Sequence, residues 1–366
     1  MSLSIGIIGL PNVGKSTIFN ALVQEQAAQV ANYPFCTIEP NKSIVPVPDS
    51  RLEKLASLVN VGRKIHATIQ FVDVAGLVKG ASQGEGLGNQ FLGHIRDVDA
   101  VLHVVRCFDD PNVVHINALP SPIEDIEIIN TELALADYQQ LEARIEKLSR
   151  QVKGDKNLIP VMEMARRLLE VLAAGNPLWG FEGRTDPAFQ ELNQELRFLT
   201  AKPVIFIGNV DEEGLVSESS FEAELREYAS DKQVEYLTIC ARLEEDIIDF
   251  SPEERNEYLE ISGIKQRGLD KILRKSYQML GLISYFSFNE DEVRAWTIPD
   301  GWSAPQAAGQ IHTDFERGFI KADVATFENF EEHGSWTALK SIGQLRSEGR
   351  EYVVQDGDVI YYRFNL

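Results

Sequence analysis

Gly9, Gly14, Lys15 and Ser16 lie in the run SIGIIGLPNVGKST, Ser4 to Thr17, with the spacing a polyphosphate site requires. Two glycines five apart, followed by lysine and a hydroxyl residue, form the phosphate-loop pattern. The glycines let the backbone curl so that its N–H groups face an anion, and a following helix adds its positive dipole end. Lys15 is a mobile cation able to reach β and γ phosphates, and the Ser16 hydroxyl suits the magnesium that triphosphates carry. The pattern means little outside a strand and helix context, where it is a glycine turn beside a surface lysine. Here the context is present. Ser4 to Leu10 is apolar and β-branched, as a buried parallel strand is, and helix-compatible residues resume at Ser16.

Further along, Thr68 to Val72 reads as a strand ending at Asp73, the first residue of the DxxG sequence that closes at Gly76. In a phosphate-loop protein this aspartate would hold magnesium through water, and the Gly76 N–H would sense the γ phosphate. Glycines at 76, 80, 84, 86 and 88 let the segment change conformation at little steric cost. Thr37, in the proline-containing loop from Ala31 to Asn41, is either a second magnesium ligand or a turn threonine; its type alone leaves both open. Asn209, Val210, Asp211 and Glu212 follow a strand where guanine-specific proteins carry asparagine, lysine, any residue and aspartate. Val210 replaces the lysine whose stem covers the base, and Glu212 is one methylene longer than the aspartate that grips guanine. Cys240, Ala241 and Arg242 occupy the final base-lining position. Leu77 stands where many such enzymes orient water with glutamine. His115 is either a polar group for that water or a surface-loop histidine, and His94 and His103 read as structural.

The elements that position these residues follow from length and pattern. A chain of 366 residues predicts two or three units, and its 44% hydrophobic and 25% charged content is that of a globular protein able to bury a core. Expected strands at Lys42 to Val47, Ala100 to Cys107, Pro203 to Asn209 and Val234 to Ala241 alternate with helices, as in an α/β sheet. From about 121 to 200 the period turns helical, with helices expected over 159–174 and 187–199, which reads as an inserted hairpin of antiparallel helices. From Ile283 short strands (ISYFSF, VRAWTI, YVVQDGDVIYYRF) with a helix near 305–315 suggest a small α+β module. Cys36, Cys107 and Cys240 form no CxxC pair, which argues against a zinc site or disulfide framework. Without a membrane-length apolar run or a secretory leader pattern, the expectation is a cytoplasmic protein with no membrane partner. A net charge of −21 and a pI near 4.7 disfavour unspecific attraction to nucleic acid. Contact with an RNA-rich particle would need a local basic patch or a protein surface.

GLPNVGKST, NYPFCTIEPN, DVAGLVKGASQGEGLGNQFL, HVVRCF, DIEIINTELALAD, VRAWTIP, APQAAGQIHTDFE and YVVQDGDVIYYRFN together resemble the YchF family, the Obg-like ATPases, over nearly the whole chain. The resemblance implies a Ras-like nucleotide-binding domain over 1–120 and 201–282, an inserted helical domain over 121–200 and a ubiquitin-like TGS domain over 283–366. It implies a magnesium-dependent ATPase that prefers ATP to GTP and binds the ribosome, at the large subunit, as a regulator in translation or stress response. Carried over by position, Asn12, Val13, Gly14, Lys15, Ser16, Thr17 and Gly76 contact the phosphates. Ser16, Thr37 and Asp73 serve magnesium, Val210 meets adenine through its main chain, and Asn209, Glu212 and Ala241 complete the base site. Lys15 and His115 are the implied catalytic groups, since His115 matches a family histidine. Two other readings remain: a scaffold that binds nucleotide without hydrolysing it, favoured by Leu77, and an orthodox GTP switch, opposed by Val210 and Glu212.

Overall fold

In the computed structural model, residues 3–29, 41–74, 87–113 and 121–365 are described. The strands are β1 (Ser4–Ile8), β2 (Lys42–Pro46), β3 (Arg63–Ile65), β4 (Thr68–Asp73), β5 (Ala100–Arg106), β6 (Val204–Asn209) and β7 (Glu235–Ile239), then β8 (Leu282–Phe288), β9 (Glu292–Pro299), β10 (Phe319–Thr326), β11 (Arg346–Glu348) and β12 (Asp358–Phe364). They form two six-stranded sheets, ordered β2-β4-β1-β5-β6-β7 and β11-β10-β12-β8-β9-β3.

In the first sheet β1 pairs in parallel with β4 and β5, and β5, β6 and β7 continue in parallel. Every residue of β1 and β5 is buried, which explains their unbroken apolar sequences: a parallel sheet is covered on both faces. The carboxyl ends of these strands form one rim, the usual place for a ligand in such sheets. The phosphate loop, Asp73, the stretch after Arg106 and Asn209 all stand on it.

The helical insertion opens with a 30-residue helix, Pro122–Gln151, and returns through helices Ile159–Ala173 and Pro187–Leu196. Leu141, Leu148, Met164, Leu168, Phe189 and Leu192 form its own core. The third helix was expected to reach Leu199 and stops at Leu196. Arg197 turns left-handed (φ 48°), its N–H bonds to the Asn193 carbonyl, and the Asn193 side chain takes the Phe198 N–H at 3.2 Å. A side-chain acceptor one turn back has replaced further helix.

Contacts divide the chain into two compact units, one of residues 1–22, 39–43 and 70–271 and the other of 23–38, 44–69 and 272–366. The second unit therefore takes in 44–69, which the sequence placed with the nucleotide domain: β3 runs parallel to β9, and helix Ser50–Leu58 begins at the Asp49 cap. There Arg51 Nη1 donates to Asp356 at 2.7 Å, its Nε donates to Asp49 at 3.0 Å, and its guanidinium covers the Phe286 ring. The tail also contains β10 and helices Phe327–His333 and Trp336–Ser341, for which no sequence signal was read. The expected helix near 305–315 is two, Ala304–Ile311 and Thr313–Arg317, interrupted by an extended His312. Of YVVQDGDVIYYRF only β12 is a strand, because Asp358 accepts the Gln355 N–H and folds the preceding residues into a turn. No helix among the described residues is long and apolar enough to cross a membrane.

Candidate nucleotide-binding site

A cleft of about 1080 Å³ opens on the rim of the first sheet. One wall is the phosphate loop (Asn12, Gly14, Lys15, Ser16, Thr17), another is Phe108 to Val113, and a third joins Asn209 to Glu213 with Cys240, Ala241 and Arg242. The loop is shaped by two left-handed residues, Asn12 (φ 62°) and Gly14 (φ 98°). At Gly14 the requirement is also steric, since a Cβ there would lie 2.3 Å from the Asn209 amide nitrogen. Helix Lys15–Gln29 starts directly behind it, its first bond running from Ile18 N to Gly14 O.

Lys15 is only 7% exposed and donates from Nζ to the Leu10 carbonyl at 2.6 Å. Burial pushes its pKa down to about 8, against the opposing pull of Asp73. The Asp73 carboxyl is raised by burial and lowered by the same lysine. Asp73 and the exposed Ser16 hydroxyl are hard oxygen donors at the phosphate end. Two such donors fit a magnesium whose remaining positions go to phosphate and water, as triphosphate sites use it.

At the other end, the Asn209 side chain is committed to the scaffold. Its Nδ2 donates to the Val13 carbonyl at 2.9 Å, and its Oδ1 accepts the Ala241 N–H at 2.9 Å. The Asn209 carbonyl takes the Cys107 N–H. One asparagine thus ties the phosphate loop to both base-lining segments. The Val210 N–H bonds to the Ile239 carbonyl, so of its main-chain groups only the carbonyl can meet a base amine. Asp211 and Glu212 both line the cleft, and Asp211 Oδ1 is engaged in accepting from Gly214 N at 2.9 Å. His103 is buried in β5 beside the Phe206 ring, and burial lowers its pKa to about 3, as befits a neutral structural imidazole. Thr37, Gly76, Leu77 and His115 lie outside the described residues.

Arg106, which the sequence reading left without a role, organises the middle wall. It is 2% exposed at the end of β5, opposite Asn209 in β6. Its Nε donates to Phe108 O at 3.0 Å, Nη1 to Val113 O at 2.9 Å and Nη2 to Asp110 O at 3.0 Å. The guanidinium also lies 4.6 Å from the Phe108 ring centre. The available signal was an arginine inside the apolar run AVLHVVRC, which must find partners to be buried at all. Arg106→Lys keeps the charge but cannot span three carbonyls, and each lost charge-assisted bond is worth roughly 1.5 to 3 kcal/mol. Nucleotide affinity should fall about tenfold, or about 1.4 kcal/mol, as a loosened wall re-forms on binding. Fluorescent-nucleotide titration checks this, and an unchanged dissociation constant would remove the wall's dependence on Arg106.

Comparison with known proteins settles the family. A family described as "50S ribosome-binding GTPase" matches residues 4–159, and the YchF GTPase carboxy-terminal family, described as a protein of unknown function, matches 282–365. The "Ribosome-binding ATPase YchF" of Bacillus subtilis (strain 168) is 47% identical over 100% of both chains, and that of Escherichia coli O157:H7 is 44% identical over 100% of both. The chain belongs to the YchF family. The structure of the Schizosaccharomyces pombe YchF GTPase superposes with a TM-score of 0.88 at 34% identity, covering 99% of this chain and 98% of that one. The expected α/β fold with a phosphate-loop nucleotide domain is therefore the YchF fold, and the resemblance read from the motifs holds over the full length.

Proposed function

We propose that this YchF-family chain is a cytoplasmic, magnesium-dependent ATPase whose nucleotide state governs its contact with the ribosome, at the large subunit. The names of its relatives support hydrolysis and ribosome binding. The observation that carries the choice of nucleotide is the base end of the cleft. Asn209 is occupied as a strut, Asp211 bonds Gly214, and Val210 leaves a main-chain carbonyl, which suits the exocyclic amine of adenine better than the groups of guanine. Glu212 carries a carboxylate, but bidentate capture of guanine tolerates little displacement.

In this reading Asn12 to Thr17 present N–H groups to the phosphates, and Lys15 exchanges the Leu10 carbonyl for phosphate oxygens. Ser16 and Asp73, with Thr37, hold magnesium. The ion would supply charge neutralisation across the β and γ oxygens. Gly76 would report the γ phosphate and His115 would position water, while Ala241 and Glu212 border the base. Residues 121–200 act as a helical domain and 283–366 as a TGS domain that shares in docking. The GTP-switch reading has one specific support, the word GTPase in the names of the matching family and of the yeast structure. Competition between ATP and GTP decides: a preference of at least tenfold for ATP is expected, about 1.4 kcal/mol. Equal or tighter GTP binding would overturn the adenine reading.

A further inference from the structure

In this acidic chain the helical arm carries a cluster of cations at the turn that ends its first helix. Between Lys147 and Lys156 the sequence has four cations (Lys147, Arg150, Lys153 and Lys156) and one carboxylate, Asp155. All four cations are exposed, and among the described residues none forms an ion pair, whereas Arg144 one turn earlier is bonded to Glu195 at 2.9 Å. Asp155 is engaged as a cap, accepting the Asn157 N–H at 3.0 Å. Four cations against Asp155 leave this stretch with a formal charge of +3, in a chain whose net charge is −21.

Position makes this charge usable. The arm is anchored where Asp137 accepts the N–H groups of Leu199 and Thr200, and from there the first helix runs on to Gln151. Fourteen residues at 1.5 Å each place the tip about 21 Å beyond the anchor. That exceeds twice the Debye length of about 8 Å at physiological salt, so charges at the root of the arm are largely screened at the tip. The arm is stiffened by its own core, in which Leu148, Val161, Met162 and Ala165 pack near the turn. A stiffened cationic tip, with no ion pair among the described residues and about 21 Å from the root of its own arm, is built to touch a polyanion. The tip is rich in lysine and arginine and carries no aromatic side chain from 147 to 157, so it offers charge to a phosphate backbone and no surface for stacked bases.

We infer that the tip of the helical arm, Lys147 to Lys156, contacts the phosphodiester backbone of ribosomal RNA. The inference rests on the ribosome-binding reading above and adds the surface that performs it. The test uses the full chain with all four cations changed to glutamine, sedimented with salt-washed bacterial 70S ribosomes across a salt series, beside wild type and the variant Lys147→Arg, Lys153→Arg, Lys156→Arg. ATP affinity and the thermal transition serve as folding controls. Each lost phosphate contact should reduce the slope of log affinity against log salt by about 1, so a drop of about 2 to 4 is expected, with at least tenfold weaker binding at 0.1 M salt. The arginine variant should bind as wild type does. Wild type that sediments beside a glutamine variant that sediments equally overturns this inference and leaves the ribosome reading standing. Weaker binding with an unchanged slope also overturns it, in favour of an acidic protein partner. Wild type that fails to sediment at any salt overturns both.

Discussion

Lys15→Ala should reduce triphosphate affinity and turnover at least a hundredfold while leaving the fold intact. The ammonium is the one side-chain cation in the phosphate loop, and removing one partner of a buried charge pair costs about 2 to 5 kcal/mol. In the unliganded chain its ammonium donates to the Leu10 carbonyl at the rim, a single bond to the main chain, so thermal stability should change little. The depressed pKa provides an independent signature. Free Lys15, at about 8, loses its proton as pH rises through 8, whereas phosphate oxygens hold the bound ammonium charged. Binding must then take up a proton, and affinity should fall by up to about tenfold per pH unit above 8. Lys15→Arg should show no such fall, because guanidinium stays charged. Wild-type turnover in Lys15→Ala, or affinity of the native chain independent of pH from 7 to 9.5, would sink the assignment of Lys15 to the phosphates.

The phosphate loop, the strand that precedes it and the DxxG aspartate were legible because each is a short-range pattern: a glycine that must turn, a lysine one residue on, an apolar run of fixed length. Their meeting on one rim follows from parallel topology alone. What escaped is what depends on partners distant in sequence. Asn209 reads as a base contact from its position, but nothing local shows its second job as a strut, with one amide N–H on Val13 and the amide oxygen on Ala241, 196 and 32 residues away. Arg106 binds carbonyls only two to seven residues ahead, but the loop closing on it has no repeating pattern. Between β2 and β4 of the first sheet the chain contributes β3 to the second sheet, and three residues are too short for an alternation to announce it. The extra tail helices of seven and six residues fall below the length at which helical periodicity separates from chance.

The same distinction applies to the root of the helical arm, where the largest loss of stability is expected. Asp137 sits within the 30-residue helix with no solvent exposure. Its Oδ1 accepts Leu199 N at 2.9 Å, and its Oδ2 accepts Thr200 N at 2.8 Å and the Thr200 hydroxyl at 2.7 Å. The carboxylate thus fastens the outgoing helix to the segment that re-enters the sheet at β6. Nearby, Lys202 donates to the Arg96 and Val98 carbonyls and closes the end of helix Leu87–Asp97. Asp137→Ala strands two buried amides and a hydroxyl. At roughly 1 to 3 kcal/mol for each unsatisfied group, the loss should be about 3 to 5 kcal/mol. Asp137→Asn retains one acceptor and should lose about half as much. Urea unfolding of the three proteins measures this, and hydrogen exchange at Leu199 and Thr200 locates it. A loss below 1 kcal/mol for Asp137→Ala, or exchange that quickens elsewhere and not at these amides, would mean that hydrophobic packing of the arm, not this carboxylate, holds its root.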